Sequence, residues 1–131
     1  MAAKVYDATS TLADRVHFVH LYVIEPHPKA PDVGPYAGTV SEAVGYSTKS
    51  QPRTYAERQA NATDLAPFIE GRQLLLLDDL APGQYTNPVW CTYGTCPNCA
   101  FLIRQDGTVD TVQTWFNASA MEQAIRSLLA R

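Results

Sequence analysis

The chain has few cysteines, little net charge and no long apolar run, and each scarcity excludes a class of function. Its 131 residues hold three cysteines. A small odd number of thiols fits a reducing compartment better than a disulfide framework. Ten Lys and Arg stand against 13 Asp and Glu, for a formal net charge of −3. That balance supplies no general field for drawing in nucleic acid or an acidic membrane, so neither is expected as a partner. No apolar run approaches the roughly 18 residues that a bilayer-spanning helix needs. The N-terminal stretch lacks the basic start, apolar middle and small-residue cleavage site of a secretory signal, so a cytoplasmic location is expected. Asn61-Ala62-Thr63 and Asn117-Ala118-Ser119 match the glycosylation pattern. Without a secretion signal both read as chance.

What is present points to one globular domain over residues 1–131, since 46% of the chain is apolar. Asp7 to Asp14 reads as the tail of a helix. Val16 to Ile24 is rich in β-branched and aromatic residues, and both of its alternating faces are largely apolar. That is the pattern of a strand covered on both sides, as in a parallel sheet. It ends at Glu25-Pro26-His27-Pro28, where the prolines forbid further pairing. A polar loop follows over 26–53. Thr54-x-x-Glu57 is a capping box that opens a helix running to about Leu65, and Gly71 closes the element. Gln73 to Leu77 reads as a second buried strand. It delivers Asp78 and Asp79 to its C-terminal end, the usual functional edge of a parallel sheet. Ala100 to Arg104 and Thr108 to Trp115 read as a hairpin around an Asp106-Gly107 two-residue turn. Ser119-x-x-Glu122 is a second capping box, before a helix whose Met121, Ala124, Ile125, Leu128 and Leu129 share one face.

All three cysteines lie between Val89 and Ile103. Cys96-Pro97-Asn98-Cys99 is a C-x-x-C, in which one thiolate attacks a disulfide and its neighbour resolves the mixed product. The alternative is two thiols without chemistry. Cys91, Cys96 and Cys99 form C-x4-C-x2-C, and with a fourth ligand such as His27 they would suit zinc, or less readily an iron–sulfur cluster. Asp78 and Asp79 read as a capped strand end, with a metal or acid–base pair as the alternative. His17 and His20 face opposite sides of their strand and carry no assigned role. Trp90, Tyr93 and Trp115 are candidates to line an apolar pocket, with plain packing as the alternative.

The order of elements resembles the later part of a thioredoxin fold, and particular residues resemble the iodothyronine deiodinases and their bacterial relatives. Asp14-Arg15, the apolar strand, then Tyr22, Glu25, His27 and Pro28 match that family's segment, with Pro26 replacing an alanine and Ile24 a common glutamate. Leu76-Leu77-Asp78-Asp79 resembles its second strand end. Tyr93-Gly94 and Pro97-Asn98, followed by Phe101-Leu102-Ile103 and Asp106-Gly107, resemble its later turn, strand and turn. The resemblance covers residues 10 to 131 diffusely.

It implies a thioredoxin-like mixed sheet flanked by helices, with strands near 16–24, 73–78, 99–105 and 108–115. It implies helices near 54–66 and 118–130. It also implies that the first strand of the fold and the family's nucleophile would precede Met1, so that sheet edges and apolar surface are left bare. Pro97 would hold the place of the fold's cis-proline, with Cys96 facing the active-site region. Glu25 and His27 would be acid–base groups, Cys96 and Cys99 resolving or auxiliary thiols, and Tyr22, Trp90, Tyr93 and Pro97 the pocket candidates. The expected function is thiol- or selenol-dependent redox chemistry, namely reductive dehalogenation or reduction of a peroxide or disulfide. Its partners would be a thiol reductant or small-molecule substrate, and a second copy or another chain completing the sheet. The alternative is a non-catalytic binding or assembly subunit with a structural zinc on its cysteines.

Overall fold

The computed structural model describes residues 12, 14–35, 49–69, 73–80, 87–94 and 98–131. Most of the helix expected over 7–14 lies outside them. The described residues form a mixed α/β structure with two small sheets and three helices. The chain divides into two compact units, one of Val19–Thr95 and one of Met1–Phe18 with Cys96–Arg131.

In the unit of residues 19–95, β1 (Val19–Tyr22) pairs in parallel with β2 (Leu74–Leu77), Val19 opposite Leu74 and Tyr22 opposite Leu77. The intervening helix α1 (Tyr55–Thr63) begins as the sequence predicts. The hydroxyl of Thr54 accepts from the Glu57 N–H at 3.2 Å, and the Glu57 carboxylate accepts from the Thr54 N–H at 3.2 Å. Two donors at the helix start are thereby satisfied. The helix stops at Thr63 and passes into a 3-10 turn, Ala66–Phe68, which contains Pro67. α1 packs against β2.

The expectation that both faces of the first strand are covered is corrected. His20, Tyr22, Leu75 and Leu77 are half-buried, whereas Val19, Leu21, Leu74 and Leu76 are exposed. Side chains alternate along a strand, so these four share one face of the parallel pair and make it a bare apolar strip. The two-sided apolar pattern therefore reflects two faces of unequal fate. A further helix, α2 (Pro88–Tyr93), occupies what the sequence reading treats as part of a turn-rich connection. Its signals are Asn87 in extended conformation, Pro88 in the first turn, and Gly94 at φ 93° just past the end.

In the other unit, β3 (Ala100–Ile103) and β4 (Val109–Gln113) form an antiparallel pair with an irregularity between Leu102 and Ile103. The connection is longer than the expected two-residue turn. The Gly107 N–H reaches Arg104 O at 3.0 Å, and the Arg104 N–H reaches Thr108 O at 2.9 Å. Gly107 alone, at φ 85°, takes the left-handed conformation. A two-residue turn of the Asp-Gly kind needs it at both central residues. The Asp106 carboxylate instead accepts from the Thr108 N–H and hydroxyl.

α3 (Ala118–Leu129) lays Met121 and Ile125 on Leu102 and Leu12, and Val16, Phe18 and Phe116 pack around them. Its cap is a second correction. Asn117, not Ser119, is the N-cap, its side-chain oxygen accepting from the Ala120 N–H at 2.9 Å. Asn is among the strongest cap residues and stands two positions earlier, so it takes the role. Glu122 is left to pair with Arg126 one turn on. The strands expected in one mixed sheet are thus found as two two-stranded sheets.

Candidate functional site

β1 ends at Tyr22, and the chain then buries Ile24 and turns out through Glu25. The Tyr22 hydroxyl donates to Glu25 Oε1. From α1, Asn61 Nδ2 approaches the same oxygen at 3.4 Å and also donates to Ser50 O at 3.1 Å. Burial pushes the Glu25 carboxyl above its ordinary value, because the charged form loses water. The nearby positive charges of Lys49 and Arg58 pull the other way without cancelling it. Lys49 is itself engaged with Asp64. The site thus holds a half-buried carboxyl that keeps its proton to higher pH than a free glutamate, hydrogen-bonded to a phenol, at the C-terminal end of a parallel strand.

The loop after Glu25 is folded tightly on itself. A side chain at Gly34 would place its Cβ 2.3 Å from Pro26 O, so glycine is needed for the close approach. His27 is half-buried in this loop, two residues beyond Glu25.

At the end of β2 the chemistry is structural. Asp78 is 1% exposed, and its carboxylate accepts from the backbone N–H groups of Asp79, Val89 and Trp90 at 2.8–3.0 Å. It caps α2, which is the capped strand end expected for this pair. Arg58 is also 1% exposed and donates through Nη1 to Asp78 O at 2.8 Å and Asp79 O at 2.9 Å. Its Nε has no hydrogen-bond partner. Asn87 Nδ2 adds a bond to Asp79 O at 2.6 Å. Desolvation lowers the Arg58 pKa, and the carboxylates of Asp78 and Asp79 oppose that. One buried guanidinium therefore ties α1 to the end of β2, and Asp78 ties that end to α2.

The expected site residues are distributed unevenly. Tyr22 and Glu25 are brought together, with His27 in the adjoining loop. Trp90 is the buried residue of α2, at 3% exposure, and Tyr93 is exposed at the end of that helix. Trp115 is 65% exposed. Cys91 is an exposed thiol outside any disulfide, whereas Cys99 is disulfide-bonded. Cys96 and Pro97 lie outside the described residues. Among the described residues no group of three His, Cys, Asp or Glu could hold a metal ion. A disulfide-bonded Cys99 offers no thiolate, so a zinc on Cys91, Cys96 and Cys99 would require the reduced form.

The sequence reading overlooks Gln51, Arg58 and Asn61. Arg58 had a signal: Arg58 and Ala62 are spaced i, i+4, and a helix this poor in apolar residues must turn something polar inward. Asn61 appears in the sequence only as half of a glycosylation pattern, and Gln51 only as a loop residue. No protein-family model, curated protein or solved structure matches the chain.

Proposed function

We propose that this chain is a thioredoxin-like, deiodinase-like protein working in thiol or selenol redox chemistry, with a disulfide, peroxide or organic halide as substrate. Glu25 carries the proton, with Tyr22 as its hydrogen-bond partner and His27 beside it. Cys96 and Cys99 serve as the resolving or auxiliary thiols, and an external thiol reductant restores them. The observation that carries the reading is the half-buried Glu25 carboxyl under the Tyr22 hydroxyl, at the C-terminal end of a parallel β-strand. A carboxyl whose pKa is raised there holds its proton to higher pH and can pass it to a leaving thiolate or carbanion. The state of Cys99 adds support, since it stands in the oxidised form while Cys91 remains a thiol. In the turnover proposed, one thiolate of the reduced pair attacks a substrate disulfide and releases a thiolate, which takes a proton. The second thiol then closes the protein disulfide and releases the other half of the substrate as a thiol.

Alkylation followed by intact-mass measurement tests the reading. One added label before reduction and three after are expected. The reduced protein should then be reoxidised by a disulfide substrate. Failure of the reduced pair to reoxidise overturns it. A second reading, a binding or assembly subunit, is favoured by the bare strip of Val19, Leu21, Leu74 and Leu76. A stable oligomer with unreactive or zinc-bound thiols in native mass spectrometry would select it.

A further inference from the structure

β1 has already ended when the chain reaches Glu25, so no strand neighbour holds that residue in place. A side chain supplies what a neighbouring strand would. Gln51 Oε1 accepts from the Glu25 N–H at 3.1 Å, and Gln51 Nε2 donates to Glu25 O at 2.5 Å. Both backbone groups of one residue are satisfied by one carboxamide. Gln51 is held in turn, its N–H donating to Asp32 Oδ2 at 2.9 Å, while Asp32 Oδ1 takes Arg53 Nη2 at 2.9 Å. Asn61 completes the arrangement from α1, with Nδ2 shared between Glu25 Oε1 and Ser50 O. Oε1 thus receives both Tyr22 and Asn61. Oε2 has no hydrogen-bond partner among the described residues.

We propose that Gln51 and Asn61 are the positioning residues of Glu25: Gln51 fixes its backbone, and Asn61 with Tyr22 engages Oε1, leaving Oε2 as the atom that takes and gives the proton. The proposal rests on the reading of Glu25 as the proton carrier. The two residues act with opposite sign on the carboxyl. Gln51 keeps the loop closed over Glu25, and its loss admits water, which favours the charged form. Asn61 donates to the carboxylate oxygen, and its loss withdraws a bond that favours the charged form.

The test is a carboxyl titration that needs no activity. The full chain is labelled with 13C at the glutamate side-chain carboxyl, and the Glu25 signal is assigned by its loss in Glu25→Gln. Its titration midpoint is then followed in the wild type, in Gln51→Leu and in Asn61→Leu. A raised wild-type midpoint is expected. It should fall towards the ordinary value in Gln51→Leu and rise further in Asn61→Leu, each by about one pH unit. General loosening of the fold would lower both. A raised midpoint that neither variant moves, or that both lower, overturns the positioning roles and leaves the proton-carrier reading standing. An ordinary wild-type midpoint overturns that reading itself. Should Gln51→Leu fail to fold by circular dichroism, Asp32→Asn, which weakens the anchor of Gln51, replaces it and must lower the midpoint.

Discussion

At the scale of single residues, the two carboxyls at the strand ends are held for opposite purposes. Glu25 has a folded pKa above its ordinary value, so the native state binds an extra proton between the two. The stability linked to that proton is complete below the ordinary value and is lost as pH rises through the folded one. Glu25→Gln keeps an oxygen for Tyr22 and Asn61 and removes the buried charge. It is expected to melt higher than the wild type at pH 8 and to show no gain at pH 4, as read by thermal circular dichroism. Asp78 is instead an anchor, three backbone N–H groups converging on one buried carboxylate. Asp78→Ala leaves those donors without a partner and also frees the end of α2. A loss of about 3 kcal/mol is expected in urea unfolding, since each unsatisfied buried donor costs about 1–3 kcal/mol and solvent recovers part of it.

At the scale of elements, sequence and structure agree where the determinant is local. Thr54-x-x-Glu57 is a capping box in both, because its bonds join residues three apart. Where two local signals compete, the pattern alone is ambiguous. Asn117 and Ser119 both precede the last apolar run, and Asn117 takes the cap. Asn117→Ala should therefore cost about 1 kcal/mol, and Ser119→Ala within about 0.5 kcal/mol, in matched denaturant curves. Equal losses would return the cap to Ser119. α2 was hidden for a different reason. It is only six residues long, too short to show an apolar period, and its cap comes from Asp78, nine positions before Asn87. Asn87, Pro88 and Gly94 were its only local marks. The Asp106-Gly107 turn was placed correctly and typed wrongly, because the need for one left-handed residue or two is set by the pairing beyond it.

At the scale of the whole molecule, the apolar runs at 16–24, 73–77 and 100–104 announced strands, and the periodic run after Asn117 announced the last helix. The pairing of β3 with β4 was legible as a hairpin, whereas the pairing of β1 with β2 was not, since it is settled between segments far apart in sequence. β1 and β2 are joined across more than fifty residues (Tyr22 opposite Leu77), while β3 and β4 meet across one short turn. The candidate site was legible in part. Tyr22 and Glu25 were singled out, but the groups that hold Glu25 come from a polar loop and a polar helix, where no pattern distinguishes an inward amide from an outward one. Arg58 carried one mark, its i, i+4 spacing with Ala62, but its partners are two backbone carbonyls, invisible to any reading of side chains.

The two tryptophans have a consequence in optical terms. Each unit carries one, Trp90 almost wholly enclosed and Trp115 facing solvent. An indole in water emits at longer wavelength than an enclosed one and is open to iodide. Emission from this chain should therefore separate into a blue, shielded component and a red, quenchable one. Trp115→Phe should remove the red component alone. Trp115 is already wet, so opening of its own unit changes its colour little. A red shift during unfolding accordingly reports the unit of Arg58 and Asp78, which gives the neighbourhood of Glu25 a built-in fluorescent gauge.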